Sequence, residues 1–183
     1  AQTYYYIYVN ADCGGSSSDW SMPMTFTTEC GQMVLPFLED FNDAASGTGS
    51  GTMADCWTVL NRNISYYPYM STSWGRNSKG IQFGGMAGSL SGAAIVASPR
   101  VPLPANEIVA GLWMKSEVTT GASGSLIVGF IANLNYPLDS IVTVGTLPSV
   151  SSWTECEVQF SNIGRTDTGY VVFYTYGTST NYY

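Results

Sequence analysis

Residues 4–11 read Tyr-Tyr-Tyr-Ile-Tyr-Val-Asn-Ala, and the stretch sorts into two sets. Tyr5, Ile7, Val9 and Ala11 alternate with Tyr4, Tyr6, Tyr8 and Asn10, the two-residue period of a strand with two unlike faces. Gly14-Gly15-Ser16-Ser17-Ser18 supplies a turn, and Trp20 to Thr28 reads as the returning strand. The same pattern continues outward. Leu35–Asn42, Trp57–Asn61, Gly80–Gly84, Ala93–Ala97, Glu107–Ser116, Ser125–Ala132, Ser140–Val144, Trp153–Phe160 and Gly169–Tyr176 are predicted strands separated by Gly, Pro, Asn and Ser. No helix is predicted. Short strands at this spacing predict an all-β chain, folded as an antiparallel jelly-roll sandwich with closed or Greek-key edges.

Composition narrows the function. Hydrophobic residues make up 45% of the 183, while charged residues make up 10%, well below the ~25% of ordinary soluble domains. Ser, Thr, Asn, Gln and Gly must then supply the polar surface, and 13 tyrosines favour strands. The net charge is −7, and the six basic residues, Arg62, Arg76, Lys79, Arg100, Lys115 and Arg165, are scattered singly. Nucleic-acid binding needs clustered cations to neutralise phosphates, so it is excluded. The longest apolar runs, such as Leu126–Ala132, are too short to cross a bilayer, so no transmembrane segment is predicted.

The chain contains no histidine, which removes His-based triads, general bases and metal ligands together. Neither a Gly-x-Ser-x-Gly elbow nor a phosphate-binding Gly-x-x-x-x-Gly-Lys loop occurs. A glycosidase could still work with two carboxylates. Glu155 and Glu157, however, alternate with Cys156, Val158 and Phe160, which puts them on the solvated face of a strand. The expectation is therefore a non-enzyme. Glu39, Asp40 and Asp43 form the candidate metal site: oxygen ligands near a strand end suit a structural calcium, and otherwise they are solvated carboxylates. No cofactor is required.

The candidate ligand site is aromatic. Tyr66, Tyr67, Tyr69 and Trp74 crowd a loop-rich stretch together with Asn61, Asn63, Arg76 and Asn77. Sugar rings stack their C–H faces on aromatic rings, while amides and guanidinium groups bond the hydroxyls. The competing reading makes Tyr67 and Tyr69 strand residues and Trp74 a loop anchor. Among the four cysteines, a hairpin turning at Ser16 places Cys13 near its tip and Cys30 beyond its open end. At ~3.3 Å per residue that separation far exceeds the ~7 Å between Cα atoms that a disulfide tolerates. Cys156 points inward with Val158 and Phe160, as a small buried hydrophobe does.

Thr3–Thr28 resembles the last two strands of a fibronectin type III domain, with Tyr5-x-Ile7-x-Val9-x-Ala11 on the first and Trp20-Ser21-x-Pro23-x-x-Phe26 on the second. The remainder of the chain resembles the MAM-like jelly rolls of Bacteroidetes surface proteins, related to cleaved-adhesin and choice-of-anchor J modules. The matching pieces are Leu35-Pro36-Phe37-x-Glu39-Asp40-Phe41, Asp55-Cys56-Trp57, Tyr67-Pro68-Tyr69, Leu126-Ile127-Val128-Gly129 and Trp153-x-Glu155-x-Glu157-Val158-x-Phe160. The resemblance implies a partial fibronectin hairpin over residues 1–29 and a jelly roll over 30–183 that ends before the family's last strand. It also implies a Cys30–Cys56 disulfide and an exported, cell-surface location. Asp139-Ser140-Ile141 resembles the O-glycosylation sequence of Bacteroidetes, and Asn63-Ile64-Ser65 is an N-glycosylation sequon. The expected function is an adhesin-type module that binds carbohydrate or a host glycoprotein. The alternative is a spacer or fibre subunit whose partners are neighbouring subunits or domains of a larger surface protein.

Overall fold

The computed structural model describes residues 3–42, 44, 53–60, 68–72, 75–77, 79–83, 90–118, 125–175 and 180–182, with residues 91, 117, 118 and 180–182 described by backbone alone. The chain is all-β and its strand pairs are antiparallel. It divides into two compact units, Ala1–Gly31 and Gln32–Tyr183.

The first unit is a hairpin of β1 (Tyr4–Ile7) and β2 (Met24–Thr27), with Tyr5 opposite Phe26 and Ile7 opposite Met24. The pairing runs on toward the tip through Ser21 N–H to the Val9 carbonyl and Ser18 N–H to the Ala11 carbonyl. The Tyr5 and Phe26 rings stack at 5.1 Å between centroids. Period-2 sorting thus places Tyr5, Ile7, Met24 and Phe26 on one face and Tyr4 and Tyr6 on the other, and all six are exposed.

The second unit contains β3 (Thr58–Val59), β4 (Tyr69–Ser71), β5 (Gly80–Gln82), β6 (Ala94–Ala97), β7 (Val109–Met114), β8 (Ser116–Val118), β9 (Ser125–Ile131), β10 (Val142–Pro148), β11 (Thr154–Gln159), β12 (Tyr170–Thr175) and β13 (Thr180–Tyr182). One sheet has five strands in the order β10-β9-β12-β6-β3, while β11 pairs with β7, β4 with β5 and β13 with β8. Continuous apolar runs such as Ala93–Ala97 and Leu126–Val128 signal strands covered on both faces, and the five-stranded sheet is so covered. Its inner face presents Val96, Leu126, Val128, Phe130 and Val171. These join Met70, Ile81, Met114, Val158 and Phe160 of the β4–β5 and β7–β11 layer in two buried clusters. Its outer face presents Ile95, Ile127, Ile131, Val172 and Tyr174, packed with Leu90, Leu134, Leu138 and Ile141. Gly129 lets that outer cover descend: a Cβ there would lie 2.9 Å from both Ile141 Cγ2 and the Val142 carbonyl oxygen.

Leu35–Asn42, predicted as the first strand of the sandwich, is not a strand. Pro36 brings no N–H to a ladder. The carboxylates of Glu39 and Asp40 turn back to accept from the backbone N–H groups of Phe41 and Asn42, at 2.9 and 3.1 Å. Local bonds of this kind compete with cross-strand pairing. Phe41, at φ 59°, anchors the loop by packing edge-on against Trp57 at 5.3 Å between centroids.

Two polar clamps hold the connections that position β7 and β11. The buried Ser116 hydroxyl accepts from Val150 N–H at 2.8 Å and donates to the Val150 carbonyl at 2.9 Å, tying the start of β8, just past β7, to the segment that enters β11. Beyond β11, the Arg165 guanidinium grips Asp167 through Nε–Oδ1 at 2.9 Å and Nη2–Oδ2 at 2.6 Å. That two-pronged bond holds the Asp167 carboxyl below the usual carboxylate range.

Candidate functional site

The β7–β11 ribbon buries one face and presents the other. Ala110, Leu112 and Met114 alternate inward on β7, while Val109, Gly111 and Trp113 face out. On β11, Val158 is buried and Glu155, Glu157 and Gln159 face out. The register sets Glu155 opposite Trp113, Glu157 opposite Gly111 and Gln159 opposite Val109. Directly opposite residues have Cβ atoms about 5 Å apart, so the ribbon carries an apolar row beside a row of hydrogen-bonding side chains. Gln159 Nε2 donates to Glu157 Oε1 at 3.0 Å, which orients both groups. Trp113 and Val109 stay 40% and 60% exposed. Between them Gly111 leaves open space where a side chain would stand, with nothing within 4 Å of the position of a Cβ.

Arg76 completes the patch. From the loop between β4 and β5 its guanidinium carbon lies 3.4 Å from the Trp113 ring centroid. Stacking of this kind is worth about 0.5–1 kcal/mol at an exposed site and holds the indole in one orientation. One indole face is thereby taken by the guanidinium, whose N–H groups remain a directional donor array for hydroxyls.

Of the residues expected to form the aromatic platform, Tyr66, Tyr67 and Trp74 lie outside the described residues, as do Asn61 and Asn63. Tyr69 is half-buried on β4 and its hydroxyl bonds Gln82 Oε1 at 2.5 Å. Arg76 is exposed, as a ligand-binding guanidinium must be, and the described aromatic it meets is Trp113. Sequence reading misses Trp113 because Glu107–Ser116 is apolar at both parities, so alternation alone does not say which set faces out.

The expected metal residues are employed locally. Asp40 accepts from both the backbone N–H and the side-chain Nδ2 of Asn42, and Glu39 accepts from Phe41 N–H. Asp43 lies outside the described residues. Two carbonyls of the same loop, Asn42 O and Ala44 O, accept from the Lys79 ammonium at 2.8 and 2.6 Å. Among the described residues no three acidic, Cys or His side chains gather as a metal-holding group. Lys79→Met should lower unfolding free energy by about 1–3 kcal/mol, since two loop carbonyls lose a charged donor; a urea melt that leaves the midpoint unmoved would refute this role.

Cys30 and Cys56 are disulfide-bonded, whereas Cys13 and Cys156 are free thiols, the first exposed and the second half-buried. With four cysteines in the chain, the bridge is Cys30–Cys56, as the resemblance implies. Ser140 is half-buried at the end of a 3-10 turn, Leu138–Ser140. Among the described residues no helix is long and apolar enough to cross a membrane.

No family model matches the chain, and no curated protein matches it. Among solved structures, it is similar to a family 29 carbohydrate-binding module, CBM29_1 from Piromyces equi. The identity is 10% and the TM-score 0.36, over 100% of this chain and 90% of that one. A likeness at that level leaves function to the chemistry of the β7–β11 face.

Proposed function

We propose that the chain is a non-catalytic, exported binding module that holds carbohydrate, free or on a host glycoprotein, against the outward face of β7–β11. The observation that carries the reading is the exposed Trp113 under Arg76, beside the row Glu155, Glu157 and Gln159, the last two hydrogen-bonded to each other. An apolar row next to directional acceptors and donors suits a ligand with C–H faces and hydroxyl edges. The absence of histidine supports binding over turnover, and the disulfide fits an oxidising, extracellular compartment. The resemblance to MAM-like surface modules agrees with this reading and rests on the sequence motifs alone. Tyr66, Tyr67, Tyr69 and Trp74 belong to the proposal as further aromatic contacts for the ligand.

Trp113→Ala tests the reading. It should weaken binding of a captured glycan by roughly tenfold or more, the loss of one aromatic contact, while Tm moves by only a degree or two. Undiminished binding would remove the β7–β11 face from the function.

A second reading has its own observation. Tyr5, Ile7, Met24 and Phe26 leave one face of the first unit apolar and exposed, and an isolated two-stranded hairpin is marginal in water. In that reading residues 1–29 are a fibronectin-type piece covered by a neighbouring domain or subunit, and the chain is a spacer in a surface assembly.

A further inference from the structure

The β7–β11 face carries information about which glycans it admits. We infer that it selects neutral, extended glycan chains and rejects those bearing uronate or sialate groups; this rests on the glycan-binding reading of the same face. The apolar row Val109, Gly111, Trp113 spans four residue steps, about 13 Å at the rise of a strand. That is a linear strip, suited to several sugar rings in line and not to a single terminal sugar. Its floor dips at Gly111, where no side chain fills the space. Directly across the dip stands Glu157, held by Gln159 Nε2 at 3.0 Å. A sugar in the middle of the strip therefore meets a carboxylate oriented in advance.

A carboxylate only accepts hydrogen bonds. Hydroxyls of a neutral sugar can donate to it, and a ligand carboxylate cannot. Glu155, one register pair along, adds a second negative charge. Two cations stand near the strip, and both lie toward one end. Arg76 is stacked over Trp113, and half-buried Lys115 follows β7 beyond Met114. Lys115 is four residues from Gly111, about 13 Å along the strand direction and beyond a Debye length at physiological salt. Arg76 sits over Trp113, whose register partner Glu155 offsets its charge, so the middle of the strip is left to Glu157. The chain's net charge of −7 acts in the same sense at long range.

The test uses the intact chain and a panel of glycans. The panel holds β-1,4-linked glucose and mannose oligomers, the uronate oligomers of the same length and linkage, and sialylated and desialylated lactosamine chains. At low salt the neutral members should bind, and each acidic counterpart should bind roughly tenfold more weakly or worse, the cost of a like charge brought to the site. Raising the salt should narrow that gap. Glu157→Gln keeps the shape and one acceptor while removing the charge, and it too should narrow the gap. Asp139→Asn, an equal change in net charge on a turn at the other side of the sandwich, should leave the gap as it is. Acidic chains that bind as well as neutral ones, with binding still lost in Trp113→Ala, would overturn the selectivity and leave the glycan reading standing. Binding to no member of the panel would remove both.

Discussion

Replacing Phe130 by Ala lowers the unfolding free energy by about 3–5 kcal/mol, the cost of an unfilled aromatic cavity in a packed core. Phe130 is fully buried on the inner face of the five-stranded sheet, in one cluster with Val128, Phe160 and Val171. Its neighbours have little room to close the gap, because they come from β9, β12 and the end of β11, three strands in two layers. A chain of this size loses roughly 2–4 °C of Tm per kcal/mol, so thermal melts should show a drop of about 10 °C. Leu38→Ala is the matched control. Leu38 is 88% exposed, in the loop that the sequence predicts as a strand, and its loss should stay within about 0.5 kcal/mol. Equal effects at the two positions would contradict this assignment of the core.

Removal of the Cys30–Cys56 bridge, as Cys30→Ser with Cys56→Ser, should cost about 3–4 kcal/mol, mainly because the unfolded chain regains the freedom that the closed loop denies it. Urea melts distinguish this origin from lost packing. The midpoint should fall while the slope m rises, since a longer unlinked chain exposes more surface on unfolding. Native alkylation supplies an independent check: Cys13, exposed in the hairpin loop, should label quickly and half-buried Cys156 slowly, with Cys30 and Cys56 unlabelled until reduction. Labelling of Cys30 or Cys56 without reductant, or an unchanged midpoint in the double variant, would refute the bridge.

Residue order alone settles what is local and periodic in this chain. The alternation in Trp153–Phe160 sorts side chains to faces correctly, because a strand's period is set by backbone geometry and needs no partner. Inward Cys156 and outward Glu155 and Glu157 follow from it. Ala93–Ala97 and Ser125–Ala132 are legible as strands, and the structure adds that β6 and β9 are buried on both sides. The Leu35–Asn42 segment departs from its prediction because apolar content says nothing of local bonds: Glu39, Asp40 and Pro36 offer the backbone alternatives to a ladder. β8 escapes sequence reading because it follows β7 after one residue with no turn signal between them, whereas Tyr69 lies on β4, as the reading that makes it a strand residue has it.

The candidate site belongs to the tertiary structure. Trp113 and Glu155 are distant in sequence and adjacent in space only through the β7–β11 register, and Arg76 reaches Trp113 from another hairpin. Nothing in the period of one strand names its neighbour. Pairing is chosen by the collective burial of Met114, Val158 and Phe160 beneath the ribbon, and that choice decides which charges and rings meet on its outer face.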